Sequence, residues 1–167
     1  MTTTSALGNA IGYLVTAATT AFPEPMQVIE GPMLSDTALT PTARIWIGYD
    51  PTSDGTAAGE ASQEFATIVQ ARSRNETGEI VCCVEYWTGN ADNPAAAARA
   101  GVFDLLATFE LLLRGSPTTG PGDTTMNRAV LWSQIAGALE FSYDSDDAGM
   151  IGRIVFHVQY EQRLTTT

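Results

Sequence analysis

Apolar positions near the start of the chain follow the period of a helix. From Leu7 to Phe22 they recur at about every third or fourth residue, which is the spacing of one helix face. Thr4 and Ser5 precede this run, and either hydroxyl can accept a hydrogen bond from the first free backbone amides of a helix. The pattern predicts an amphipathic N-terminal helix that ends before Pro23.

A second helical pattern follows Asn93 and is bounded by residues that suit helix ends. Asn93 can cap the first turn, Pro94 fits the first helical position, and Gly115 fits the left-handed position after the last turn. One apolar stripe runs along this segment: Val102, Leu105, Leu106, Phe109, Leu112 and Leu113. We expect a helix whose stripe faces the core.

Two short apolar runs between these helices have the character of strands. Residues 26–30 are followed by Gly31 and a proline, which stop a strand. In residues 43–49 the side chains alternate, with Arg44 and Trp46 on one face and two isoleucines on the other. A strand is predicted for each run.

A β-hairpin is predicted before the second helix. Residues 63–72 and 79–87 are rich in β-branched and aromatic side chains, which favour strands. The polar stretch 74–78 between them ends in glycine and is interpreted as the turn.

The end of the chain predicts a second and longer hairpin. Residues 130–143 and 150–164 alternate apolar and polar side chains, and the turn-forming stretch 144–149 joins them. Hairpins in place of strand-helix-strand repeats imply a mainly antiparallel β-sheet. The sequence therefore predicts an α+β fold in which both helices pack on one face of that sheet.

Two longer connections lack the pattern of a helix or a strand. Residues 50–62 and 116–125 are rich in glycine, proline, threonine and aspartate, which favours loops. We interpret both as loops or docking arms. The acidic residues that they offer to a partner are Asp50, Asp54, Glu60 and Asp123.

Composition predicts one domain over residues 1–167 and excludes several classes of function. Hydrophobic residues make up 44% of the chain, and 19 acidic residues against 8 basic ones give a formal charge of −11. All eight basic residues are arginines scattered along the chain, so the sequence shows no basic patch that would bind a nucleic-acid backbone. The absence of lysine excludes the P-loop and Schiff-base chemistry.

Neither export nor a membrane span is expected. Residues 1–22 lack the basic segment of a secretory signal. The most apolar later stretch, 102–113, is too short to cross a bilayer and contains Asp104 and Glu110. We expect the chain to be made in the cytoplasm.

Residues suited to catalysis or metal binding are few. The single histidine, His157, lies in a predicted strand without a nucleophile motif nearby. Cys82 and Cys83 are adjacent, so on a strand they point to opposite faces and cannot readily bridge. We expect no metal, no cofactor and no enzymatic activity, although the sequence leaves a pair of carboxylates open as a site.

The order of elements resembles the tail terminator proteins of long-tailed phages. The similar stretches read RIWIGYDP, EIVCCVEYWTGN, NPAAAARAGVFDLL, LLLRG and GRIVFHVQYEQRL, and with the N-terminal helix they cover nearly the whole chain. The resemblance lies in this order and these local textures, and no invariant motif carries it.

The resemblance implies a structural virion protein. Terminators form a homohexameric ring that caps the tail tube, stops its polymerisation and presents a surface for docking of the filled head. Its partners would be the major tail tube protein and a head–tail connector or head-closure protein. DNA would pass through the ring without specific binding, and the ring would assemble in the host cytoplasm.

Interface residues are predicted from residue type. Aromatic residues are enriched in interface cores, so Trp46 and Trp87 are expected as exposed anchors, with Arg44 and Arg72 as candidate ion-pair partners. Packing within the domain is an equal alternative for each of them. Two alternatives stay open at this point. One is another head–tail connector or tail-completion protein, and the other is a small α+β ligand-binding domain or enzyme.

Overall fold

The fold combines two helices with a six-stranded sheet. The computed structural model describes residues 4–33, 43–53, 55, 57–65, 73–89, 92–116, 120–146 and 149–165. The helices are α1 (Leu7–Ala21) and α2 (Pro94–Arg114). The strands are β1 (Gln27–Glu30), β2 (Ala43–Ile47), β3 (Gly59–Phe65), β4 (Ser73–Thr88), β5 (Gly115–Ser116), β6 (Gly120–Pro121), β7 (Trp132–Asp146) and β8 (Gly149–Thr165).

The main sheet is mostly antiparallel. Its order is β1-β2-β4-β8-β7, and β3 also pairs with β4, beside the half of β4 that β2 does not reach. The pair β1–β2 is parallel, whereas the other pairs are antiparallel. A separate two-stranded sheet joins β5 to β6. The predicted α+β class is confirmed.

Both helices cover the same face of the sheet, as predicted. We call it the helix-covered face. Its largest fully buried side chains include Leu14 of α1, Phe109 of α2, and Phe156 and Tyr160 of β8. The rings of Phe109 and Phe156 meet edge to face with centroids 5.0 Å apart. The alternation expected for β8 is therefore confirmed.

The opposite side of the sheet, which we call the second face, holds a smaller apolar cluster. It consists of Trp46, Val81, Cys83 and Val155. Cys82 belongs to the helix-covered core, so the two free cysteines point to opposite faces as predicted.

The predicted turn at residues 74–78 is wrong. This stretch lies inside β4, where it pairs with β3 on one side and with β8 on the other. Its polar side chains suit a strand here because β3 is an exposed edge. The hairpin partner also begins earlier than predicted, at Gly59, so the expected loop 50–62 ends in strand β3. Residues 66–72 of the predicted strand lie outside the described residues.

The helix ends follow the predictions in part. Asn93 accepts a hydrogen bond from the Ala96 amide at 3.3 Å, and Gly115 has a φ of 67°. At α1 the cap position is Ala6, one residue later than expected. Ser5 still contributes, since its hydroxyl accepts a hydrogen bond from the Leu7 amide at 3.1 Å. No described helix is long and apolar enough to span a membrane.

The predicted loop 116–125 is only partly irregular. Ser116 belongs to β5, Gly120 and Pro121 form β6, and residues 117–119 lie outside the described residues. The chain then turns through three consecutive residues with positive φ, Met126, Asn127 and Arg128. Met126 is 1% exposed in the helix-covered core, so this connection packs against the domain.

Candidate assembly surfaces

Strand β7 forms one edge of the main sheet. It pairs only with β8, so its other side has no strand partner among the described residues. The strand is 15 residues long. An edge strand presents a row of unpaired backbone N–H and C=O groups that can pair with another chain. β7 is therefore a candidate assembly surface.

A bulge interrupts β7 and pushes an apolar side chain outward. The register with β8 shifts between Ala136 and Glu140. Gly137 within the bulge has a φ of 85°, a conformation that residues with a Cβ rarely adopt. Leu139 in the same bulge is 50% exposed.

An exposed aromatic cluster lies where α2 meets β7. It consists of Phe103 from α2 with Phe141 and Tyr143 from β7, and we call it the aromatic patch. Ring centroids are 5.5 Å apart for Phe103–Phe141 and 4.7 Å apart for Phe141–Tyr143. The three residues are 43%, 37% and 43% exposed, respectively. Aromatic rings left half open to water are typical of protein interfaces.

Glycines let α2 approach the sheet closely and so set the position of Phe103. A Cβ on Gly152 of β8 would lie 2.7 Å from the Ala98 carbonyl oxygen, and one on Gly101 would lie 2.4 Å from the Tyr86 ring. Neither position has space for a larger residue. This close approach lets Phe103 of α2 contact Phe141 of β7. The sequence pattern does not reveal the patch, because its residues on α2 and β7 lie about 40 positions apart.

Trp46 lies on the second face and is buried. Its indole N–H donates to Glu85 Oε2 at 3.0 Å, and the residue is only 5% exposed. Arg153 Nε donates to the other carboxylate oxygen of Glu85 at 2.6 Å. The expectation that Trp46 is an exposed anchor is wrong, because β2 turns this side chain into the apolar cluster of the second face.

Arg44 lies beside this group with a side chain that is only half buried. Its Cα is paired with that of Glu85 across β2 and β4. The Nε atom of Arg44 is buried and has no hydrogen-bond partner. Both oxygens of Glu85 already accept hydrogen bonds from Trp46 and Arg153.

The other predicted interface residues are distributed over the domain. Trp87 is half buried, with its indole against Gly149. Asp50 is buried, and its Oδ1 accepts hydrogen bonds from the amide and hydroxyl of Thr52. Asp50 therefore stabilises a turn within its own subunit. Asp54 and Arg72 lie outside the described residues.

Glu60 is exposed on β3 and lies beside an open groove. Its Cα is paired with that of Glu79 on β4. Both residues line a groove of about 390 Å³, together with Trp132 and Gln159. Like charges at paired positions repel each other, so this end of the second face is acidic.

Asp123 holds the turn that packs against the helix-covered core. Its Oδ1 accepts hydrogen bonds from the amide and hydroxyl of Thr125, and its Oδ2 accepts one from the Asn127 amide. Burial raises the pKa of this carboxyl, but the hydrogen bonds outweigh it and hold the pKa below its usual range. Asp123 was predicted from the sequence as a docking residue, which stays a prediction, and the structure gives it an internal role.

Glu76 is a fully buried carboxylate that the sequence placed in a turn. Its Oε1 accepts hydrogen bonds from the Ser5 hydroxyl, the Ala6 amide and the Tyr160 hydroxyl at 3.0, 2.8 and 3.0 Å. Gln63 donates to Oε2. The carboxylate lies at the N-terminal end of α1, where negative charge is stabilised. Glu76 therefore joins the start of α1 to three strands.

Groups suited to chemistry are not brought together in the described part of the chain. No described cluster of three or more His, Cys, Asp or Glu side chains could hold a metal ion. His157 lies between Val81 and Ala136 in the sheet. Burial raises the pKa of the Cys82 thiol to about 12 and raises that of Cys83 as well, so neither is a ready nucleophile.

The aromatic patch lies on the helix-covered side of β7, and Leu131, Trp132 and Leu139 in or next to this strand are also exposed. Trp132 is on the second face, where it lines the groove beside Glu60. No family model matches the chain, and a search of curated proteins found no relative.

Proposed function

We propose that this chain is the structural subunit of a phage tail terminator. Copies of it would form a ring, on the family's pattern a hexamer, that caps the tail tube and stops its polymerisation. The ring would also offer the surface on which the filled head docks. The chain would then be a virion protein at the neck end of the tail, without catalysis or cofactor.

The single observation that carries this proposal is the open edge of β7 with the aromatic patch beside it. An edge strand supplies backbone hydrogen bonds and the aromatic rings supply buried area, which together suit a stable contact between proteins. Such a contact is what a ring subunit needs.

The charge of the chain is compatible with a DNA conduit. Each copy would bring a formal charge of −11 into the ring. An acidic lumen repels the phosphate backbone, so DNA would pass without binding. The acidic pair Glu60 and Glu79 is one candidate for that lining.

Two other functions remain as alternatives to this proposal. A different head–tail connector or tail-completion protein would use the same kinds of surface. A ligand-binding domain or enzyme would need convergent polar groups in a pocket, and the groove beside Glu60 is open and acidic. The described residues offer no specific observation that favours either alternative.

The test is the mass of the protein in solution across a concentration series, measured by light scattering, alone and with purified tail tubes. Terminators can stay monomeric until they meet a tube, so electron microscopy of the tubes is the second readout. A ring, or a cap at one tube end with tubes of fixed length, supports the proposal. A monomer that leaves the tubes unchanged contradicts it.

A further inference from the structure

A row of charged residues on the second face contains two arginines and only one carboxylate. Arg44, Glu85 and Arg153 occupy paired positions on β2, β4 and β8. Glu85 accepts one hydrogen bond at each oxygen, from Arg153 and from the Trp46 indole, and neither bond comes from Arg44. Two guanidinium groups therefore lie beside a single carboxylate.

Arg44 has no hydrogen-bond acceptor for its Nε, although it lies beside a carboxylate in the row. Its Nε is buried without a hydrogen bond, and a buried donor without an acceptor destabilises the fold. A guanidinium binds a carboxylate through two parallel hydrogen bonds more readily than it binds a neutral group. Arg44 is only half buried, and Nε alone among its nitrogens is a buried atom without a partner, so its two terminal nitrogens are where a carboxylate from outside the subunit can bind.

A suitable carboxylate lies at the far edge of the same sheet. The row continues from Arg153 to Ser142 on β7. Glu140 lies two residues before Ser142, so its side chain is on the same face, near the same height along the strands. Glu140 is exposed, and its side chain makes no hydrogen bond or ion pair with another described residue.

We propose that Arg44 of one subunit binds Glu140 of the partner subunit in a head-to-tail contact between copies of this chain. The β7 edge of one copy would face the β1 edge of the next. Arg44 lies one strand inward from that edge, and adjacent strands are only about 4.8 Å apart. The inference rests on the proposed ring and names the ion pair that sets the register of its interface.

Charge complementarity selects a second copy as the occupant. The chain has an excess of 11 acidic groups, so an unpaired arginine is the place where another copy of the same acidic chain is attracted. A head-to-tail contact uses two different patches and closes into a ring when its rotation allows. The unequal edges β7 and β1 provide such a pair.

The test is a double-mutant cycle with Arg44→Gln and Glu140→Gln, both of which avoid new like charges. The association constant of the full chain is measured by light scattering, or from occupancy of tube ends if the free chain is monomeric. Each single variant should weaken association about tenfold, which is a typical scale for a close interfacial ion pair. The double variant should be no weaker than either single one, because both remove the same contact.

Matched controls separate this contact from general charge effects. Arg163→Gln removes an exposed arginine from the same face of β8, and Glu64→Gln removes an exposed glutamate from β3. Both should leave association within about twofold of the wild type. Thermal unfolding of all variants checks that the fold is intact.

The outcomes distinguish this inference from the proposed function. If the wild type assembles but the two variants have no effect, or their effects multiply in the double variant, the Arg44–Glu140 contact is overturned and the ring remains. If the wild type neither assembles nor occupies tube ends, both proposals fail.

Discussion

Glu76 illustrates how one residue links distant parts of the chain. The ionised carboxylate accepts four hydrogen bonds while it is fully buried. Burial acts to raise its pKa, but these hydrogen bonds outweigh burial, so its pKa lies below the ordinary value of 4.5. Burial raises the pKa of Tyr160, and the hydrogen bond to Glu76 raises it further. The start of α1 is thereby fastened to β3, β4 and β8.

We expect Glu76→Gln to destabilise the fold by about 2 kcal/mol, because the amide places a donor where donors already converge. Glu79→Gln, three residues along β4, is the matched control. Its side chain is on the second face beside Glu60, so its loss should be neutral or slightly stabilising. Urea unfolding at neutral pH measures both. Equal effects of the two substitutions would contradict the role given to Glu76.

The stability difference between wild type and Glu76→Gln should depend on pH. A carboxyl whose folded pKa is lowered contributes fully above its unfolded pKa and loses this contribution as pH falls through the folded value. The difference should therefore be constant at neutral pH and shrink as pH falls below about 4.5. Urea midpoints across an acid series measure it, and a difference that grows on acidification would refute the assignment.

The two cysteines give a second prediction at this scale. Their burial disfavours the thiolate, which is the form that attacks a disulfide reagent. We expect both thiols to react with a chromogenic disulfide at least 100-fold more slowly in the native protein than in urea, an order-of-magnitude figure for buried thiols. Rapid native labelling of either cysteine would show that the sheet opens there.

At the scale of elements, the position of α2 on the sheet determines whether the aromatic patch forms. Its ends are fixed locally by Asn93 and Gly115, but its distance from the sheet is fixed by Gly101 and Gly152, which leave no space for a Cβ. That distance places Phe103 against Phe141 and so builds the aromatic patch.

We therefore expect Gly152→Ala to destabilise the protein by about 2–3 kcal/mol, since the added Cβ would force the Ala98 backbone away. Gly8→Ala is the matched control, because a Cβ there meets nothing within 4 Å and lies in a helix. That change should stabilise the fold by about 0.5–1 kcal/mol. Thermal unfolding measures both changes in stability, which should have opposite signs. A Gly152→Ala variant as stable as the wild type would contradict the close packing of α2 on the sheet.

At the scale of the whole molecule, the domain has a covered face and an unequal pair of sheet edges. The helices bury one face, whereas β7 offers a long edge with exposed aromatic rings on one side. An edge of this kind favours pairing with another protein unless it is shielded. The proposed ring would shield it.

Phe141→Ser should therefore weaken assembly at least tenfold. It should change the free energy of unfolding by under about 1 kcal/mol, because the phenyl group of Phe141 is already partly exposed to water in the monomer. Phe65→Ser is the control, since that side chain is 84% exposed and on β3, away from the patch. Light scattering with parallel unfolding curves measures both. A loss of stability that matches the loss of assembly would indicate a role only in the fold.

The sequence by itself determined the elements whose signals are local. Both helices, the cap of α2 and the terminal hairpin follow from periodicity and end residues, which depend only on neighbouring positions. The alternation of β8 and the opposite directions of Cys82 and Cys83 follow from the two-residue period of a strand. These features, and the α+β class that they imply, are confirmed.

The tertiary structure alone decided which side chains meet across the sheet. The polar stretch 74–78 became a strand because β3 and β8 flank it on both sides, and Glu76 became buried because the N-terminal end of α1 packs against it. Trp46 is covered although its residue type favoured an interface, and Glu85 bonds to Trp46 and Arg153 while the Nε of the paired Arg44 has no partner. Such outcomes depend on contacts between residues far apart in sequence, which local patterns do not encode.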